Sequence, residues 1–192
     1  RALEAVDALS DLLAYSDPEI RGMAVTGLAK IGHRESLPDV ARLMKDDDLE
    51  VRRRAAFFMG EIACDEAVVS LAIALEDGES SMRCEALKSL GKIKGENACD
   101  MALPFLKDED WQVRYTAVTS LGEIGHSKAL FPLVEVMLGK DDEEIRAWAA
   151  WSLGEIGDER AIEPLKQAYK TAPTEVMKKA RDSLEEVFGI KV

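Results

Sequence analysis

At 192 residues and 47% apolar side chains, the chain can build one sizeable core or two small ones, and no run approaches the roughly 18 consecutive apolar residues of a membrane span. Its 37 acidic against 25 basic side chains leave a net charge of −12, a field that repels phosphate backbones and argues against nucleic acid as a partner. The three cysteines, Cys64, Cys84 and Cys99, are odd in number and form no CxxC pair, as expected of reduced thiols in the cytoplasm.

In chain order, the opening Arg1-Ala2-Leu3-Glu4-Ala5-Val6 aligns with Arg160-Ala161-Ile162-Glu163-Pro164-Leu165. It therefore reads as the second helix of a repeated unit (helix B), and the chain as a piece that begins partway through such a unit. The first helix of the unit (helix A) follows. Around Arg21 stand Ile20, Ala24, Leu28 and Ile31, at −1, +3, +7 and +10 from the arginine. That spacing makes one apolar face of a 3.6-residue helix, and the small alanine admits a close neighbour. Asp17 occupies the N-cap, where it can also pair with the arginine, and Gly32 suits the C-terminus.

The pattern returns at Arg52, Arg83, Arg114, Arg146 and, degenerate, Met177, at separations of 31, 31, 31, 32 and 31. Each copy repeats the small residue (Ala55, Ala86, Ala117, Ala149, Ala180) and the +7 residue (Met59, Leu90, Leu121, Leu153, Leu184). The +10 residue also repeats, as Ile62, Ile93, Ile124, Ile156 and Val187, as does the leading acid of Asp48, Glu79, Asp110 and Asp142. Between these copies lie the remaining B helices. Pro132 and Pro164 share a slot early in helix B, where proline is tolerated, and Pro38 is one place off it. Pro104 comes three places later, so that helix B should be kinked or start late.

The expected fold is all-α: an α-solenoid in a right-handed superhelix, six two-helix units and about twelve helices in one domain. The units run approximately 1–32, 33–63, 64–94, 95–125, 126–157 and 158–192. No single pair can bury its own apolar face, so neighbours must stack. The polar last copy, with Lys178, Lys179, Arg181 and Asp182, suits a C-terminal cap.

The motif Asp142-Glu143-Glu144-Ile145-Arg146 through Leu153-Gly154-Glu155-Ile156-Gly157 resembles the short HEAT-like repeat named after the phycobilisome (bilin) lyases. The resemblance covers essentially the whole chain. It implies a solenoid fold, but functions that range over scaffolds, chaperone-like lyases and a few enzymes.

Candidate chemistry is sparse. His33 and His126 each follow their arginine by twelve residues, three repeats apart, which at roughly 10 Å per repeat is too far to share a metal. A HEAT-like family of deoxyhypusine hydroxylases binds iron through His-Glu dipeptides, whereas here His33 precedes Arg34 and His126 precedes Ser127. The acidic runs Asp46-Asp47-Asp48, Asp108-Glu109-Asp110 and Asp141-Asp142-Glu143-Glu144 lack the spacing of a calcium loop and read as helix-start acids. No catalytic residue, cofactor or metal is expected.

Positions −2, +1, +2, +5 and +9 of helix A form a second stripe, about 135° from the core stripe and so turned to solvent. Designed proteins on a similar repeat vary these slots, with −3, to build a concave binding face. Carried over, the slots hold Met23 and Thr26, then Arg53, Arg54 and Phe57, then Cys84, Glu85 and Lys88. Trp111, Tyr115 and Thr119 follow, and last Trp148 and Trp151, so that all three tryptophans fall there. Trp, Tyr and Arg are the residues enriched at binding hot spots, although one tryptophan tucked between helices would be plain core.

The expectation is a cytoplasmic, monomeric, non-enzymatic scaffold that binds a protein partner, and neither nucleic acid nor membrane. Its expected contact residues are Trp111, Tyr115, Trp148, Trp151, Phe57, Arg53, Arg54, Met23 and Lys88. The alternatives are a bilin lyase or chromophore chaperone, whose aromatic groove and arginines would hold a propionate-bearing tetrapyrrole, and the repeat domain of a larger enzyme.

Overall fold

The computed structural model describes residues 2–192; Arg1, with which the sequence alignment of the first helix begins, lies outside them. Among the described residues there are twelve α-helices and no strand. The odd-numbered helices are the B helices: α1 (Ala2–Leu12), α3 (Leu37–Arg42), α5 (Asp65–Leu75), α7 (Gly95–Ala102), α9 (Leu130–Leu138) and α11 (Ile162–Thr171). The even-numbered ones are the A helices: α2 (Pro18–Ile31), α4 (Leu49–Ile62), α6 (Ser80–Ile93), α8 (Trp111–Ile124), α10 (Glu143–Ile156) and α12 (Thr174–Glu186). The fold is an α-solenoid of helix pairs. Its contacts gather into two compact units that divide between Ile93 and Lys94, the first holding α1–α6 and the second α7–α12.

Within each unit, every A helix packs on its own B helix and on the A helix of the next repeat. The alanines at +3 and the Leu or Met residues at +7 are all buried, from Ala24 and Leu28 to Ala180 and Leu184. The +4 residues Val25, Ala56, Leu87, Val118 and Ala150 join them, widening the core stripe beyond the four slots read from the sequence. The +10 slot is less regular. Ile124 is buried, but Ile31 and Val187 are 42% and 48% exposed.

The caps follow local chemistry. Asp17, Asp48 and Asp110 each accept a hydrogen bond from a first-turn amide, of Glu19, Val51 and Gln112 respectively. Asp142 makes no such bond. At the other ends Gly32, Gly125 and Gly157 take the left-handed conformation at φ 71°, 69° and 66°, and where the sequence has Ala63 the same turn is made at φ 49°.

The repeated arginine does something the linear pattern does not show. The sequence pairs it with the acid four residues earlier, yet that acid is a helix cap. Instead the guanidiniums of Arg21, Arg52 and Arg114 reach an acid just before helix A of the next repeat, whereas Arg146 donates to the Met137 carbonyl. Arg21 bonds both oxygens of Asp46, at 2.8 and 2.7 Å, and Arg52 meets Asp77 at 2.9 Å. Arg114 grips both oxygens of Asp141, at 2.8 and 2.9 Å. Nη1 of each closes the turn before its own helix, as that of Arg114 does on the carbonyls of Asp108 and Glu109. One side chain thus staples its own turn and ties it to the next repeat.

Pro104 acts by breaking the helix and not by delaying it. Helix α7 starts on register at Gly95 and gives way after Ala102 to a tighter 3₁₀ turn, Leu103–Lys107, since a ring at 104 removes the bond to the carbonyl four residues back.

Candidate functional site

On α10, Ala149, Ala150 and Leu153 are fully buried, so helical rotation carries positions 148 and 151 toward the opposite face. Trp148 and Trp151 are half-buried there and meet edge to face, with ring centroids 5.4 Å apart at 76°. Tyr115 of α8 extends the row, its ring 5.9 Å from Trp148 at 79°. From α12, Lys179 places its ammonium 5.0 Å from the Trp148 centroid. Three rings and one cation from three successive A helices therefore form a continuous surface, with T-shaped contacts of the kind that quadrupoles favour. Partial burial, and then the charge of Glu144, push the Tyr115 hydroxyl above its ordinary pKa, so it is a neutral donor at physiological pH.

The structure parts two residues that the sequence sets together. Trp111 and Tyr115 are i, i+4 neighbours, but Trp111 makes no ring contact among the described residues. It stands 51% exposed, lining a shallow cleft of about 470 Å³ with Asp142, Glu143, Glu144 and Ile145 at the start of α10. The tryptophans are thus neither core nor loose. Two are locked edge to face, and one projects at the N-terminal rim.

The outward residues of the first unit are tied up differently. Arg53 and Arg54 both bond to Glu50, at 3.1 and 3.0 Å, and the Arg54 stem lies over Gly22, where a Cβ would meet its Cδ at 3.1 Å. Lys92 caps the Phe57 ring at 4.4 Å and pairs with Glu61 at 2.6 Å. Met23 and Lys88 are exposed, and Cys84 is half-buried. Cys99 lies in the core of the second unit. Burial first, and then Asp100, raise its thiol to about 11, which keeps it protonated and unreactive.

The histidines belong to turns. The His33 ring bonds the Ser36 hydroxyl at 2.9 Å, and that of His126 accepts the Lys128 amide at 3.3 Å. Among the described residues no three His, Cys, Asp or Glu side chains are grouped closely enough to hold a metal ion.

Sequence reading missed two features. Lys179 is one, although position +2 of the last repeat is the slot that Trp148 fills in the repeat before. The other is a groove of about 560 Å³ on the B side of the second unit, between the 3₁₀ turn after α7 and α9, lined by Leu103, Pro104, Lys107, Pro132, Val136 and Lys140. The out-of-step Pro104 was its only signal.

A family model of HEAT repeats matches residues 1–57, 40–104 and 100–185. The chain belongs to the HEAT-repeat family. Solved structures agree with that fold. The HEAT-repeat chain is similar to the complex of CpcE and CpcF of phycocyanin lyase from Nostoc sp. PCC7120, at 22% identity and TM-score 0.56, over 96% of this chain and 83% of that one. It is similar to human deoxyhypusine hydroxylase at 19% identity and TM-score 0.59, over 98% and 75%. A designed armadillo repeat protein in complex with the peptide (KR)4 matches at 20% identity and TM-score 0.63, over 93% and 97%. Identities this low establish a shared fold alone. No curated protein matches the chain.

Proposed function

We propose that this HEAT-repeat chain is a non-enzymatic interaction scaffold that binds a segment of a partner protein on the helix-A face of its second unit. The observation that carries the reading is the row Tyr115–Trp148–Trp151. Repeat stacking does not require it, because Ala117, Ala149 and Leu153 already complete the core beneath. Half-buried rings braced on one another have lost most of their side-chain freedom before any partner arrives, which lowers the entropy cost of binding. Trp111 supplies a freer contact at the rim. Scaffolds of this general fold take peptides, as the designed armadillo protein does.

The bilin reading draws less from the geometry, because Arg53 and Arg54, which would hold the propionates, are both engaged by Glu50. What supports it is the resemblance of the repeat motif, Asp142 through Gly157, to the short lyase-type repeat. No helix among the described residues is long and apolar enough to cross a membrane. The odd cysteine count supports a reducing, cytoplasmic setting.

The test is a selection of displayed peptides on the intact chain, followed by affinity measurement on Trp148→Ala/Trp151→Ala. The expected loss is tenfold or more, that is about 1.4 kcal/mol or above, with unchanged helical circular dichroism and melting. Peptides that bind the double variant as tightly as the wild type would place binding elsewhere. Collapse of the variant's stability would make the rings core.

A further inference from the structure

The second unit carries a charge pattern that its own packing leaves open. Position +9 of helix A lies near the centre of the outward stripe, seven residues after the Trp148 slot and four after that of Trp151. In α8, α10 and α12 it holds Glu123, Glu155 and Glu186, all exposed. Because these helices pack in succession, the three positions form a row, one helix apart, with roughly 8–10 Å between helix axes. None of the three makes an ion pair or side-chain hydrogen bond among the described residues. In the first unit the same slots read Lys30, Glu61 and Lys92, and there the row neutralises itself through the Lys92–Glu61 pair at 2.6 Å. At the other rim of the ring row Glu144, four residues before Trp148, is also exposed and projects on the same face.

The ring between these rims already takes a cation. Lys179 sits 5.0 Å from the Trp148 centroid, so this indole already holds an ammonium group in the folded chain, as its ring quadrupole favours. The opposite partner, an acidic segment, would meet like charge on both rims.

We propose that the segment bound on this face is cationic, its Lys or Arg side chains lying against Trp148 and Trp151 and pairing with Glu123, Glu155 and Glu186. The inference rests on the binding face proposed above and adds the chemistry of its occupant. The ring row gives contact area, and the carboxylate row sets register and favours positive over neutral or negative segments. The spacing fits an extended peptide better than a compact fold. Residues rise about 3.3 Å each in an extended chain, so every third residue matches the helix-to-helix step.

The test uses three labelled ten-residue peptides of equal length, with lysine, glutamine or glutamate at every third position and alanine between, and fluorescence anisotropy at fixed, near-physiological salt. The lysine peptide should bind wild type best and lose tenfold or more on Glu123→Gln/Glu155→Gln/Glu186→Gln. A matched control, Glu109→Gln/Glu135→Gln/Glu159→Gln, removes the same charge from other exposed sites and should bind as wild type does. Equal weakening of both triple variants would reduce the effect to net charge and overturn the proposal. If the glutamine or glutamate peptide binds as well as the lysine peptide and is lost in Trp148→Ala/Trp151→Ala, the face stands and its cationic preference falls. If no peptide responds to the tryptophan variant, the binding face itself is wrong.

Discussion

Gly122 of α8 and Ser152 of α10 are packed so closely that a single added carbon does not fit: a Cβ on Gly122 would stand 2.6 Å from Ser152 Oγ, 2.8 Å from its Cβ and 2.9 Å from its Cα. The contact is a feature of the repeat. Gly60 faces Ser89 and Gly154 faces Ser183 in the same way. Each serine hydroxyl donates to a carbonyl of the preceding A helix, Ser152 to Val118 at 2.9 Å, Ser89 to Ala56 at 2.8 Å and Ser183 to Ala150 at 3.0 Å. The glycine permits the approach and the serine converts it into a buried hydrogen bond.

Gly122→Ala should therefore destabilise the chain. Alanine gains about 1 kcal/mol of helix propensity, but forcing two helices apart at so close a contact costs toward the upper end of roughly 1–3 kcal/mol, so a net loss of up to about 2 kcal/mol is expected. Urea denaturation at constant slope measures it. Ser152→Ala in the same background should not rescue the variant, because the obstructing Cβ and Cα remain; a full rescue would show that the hydroxyl alone set the distance.

Arg114 and Asp141 should govern acid sensitivity. The guanidinium holds the Asp141 carboxyl below its ordinary pKa, overcoming the opposing effect of burial, and Arg21 does the same to Asp46. A carboxyl with a depressed folded-state pKa contributes stability that is complete above its unfolded value and is lost as pH falls through the folded one. The melting temperature should therefore respond little to these groups between about pH 5 and pH 7 and fall below about pH 4. Asp141→Asn should lose about 1–3 kcal/mol near neutrality and show a shallower acid limb than wild type. An unchanged acid limb would remove Asp141 from the account.

Ala63 occupies a left-handed turn, φ 49° and ψ 58°, that glycine makes at three equivalent helix ends. A side chain there costs roughly 1–2 kcal/mol, against about 0.4–1 kcal/mol of extra unfolded-state entropy that glycine brings. Ala63→Gly should raise stability by about 0.5–1 kcal/mol, and thermal melting would show it as a gain of a few degrees. A loss would mean that the methyl group is doing more in packing than its exposed position indicates.

Much of the fold was legible because a stacked repeat is a local code. Val113, Ala117 and Leu121 lie within one helix, and the 3.6-residue period alone turns them inward. The same arithmetic put Tyr115, Trp148 and Trp151 on the outward face. What it could not reach were contacts across helices. The acids at 17, 48 and 110 looked like arginine partners, but their oxygens are taken by backbone amides, and the true partners, Asp46, Asp77 and Asp141, lie 25–27 residues on. Trp111 and Tyr115 looked paired by spacing, yet Tyr115 turns to Trp148 across the helix–helix groove.

The sequence by itself determined the repeat, its register, the buried stripe and the face left over, because each follows from the order of apolar and small residues along a single helix. The tertiary structure alone decided how that face is composed: which ring meets which, that Lys179 stands over Trp148, and that Glu123, Glu155 and Glu186 are left exposed without a partner among the described residues. Those are distances between helices, and they are fixed by how closely Gly122 and Ser152, and their counterparts in the other repeats, let the backbones approach.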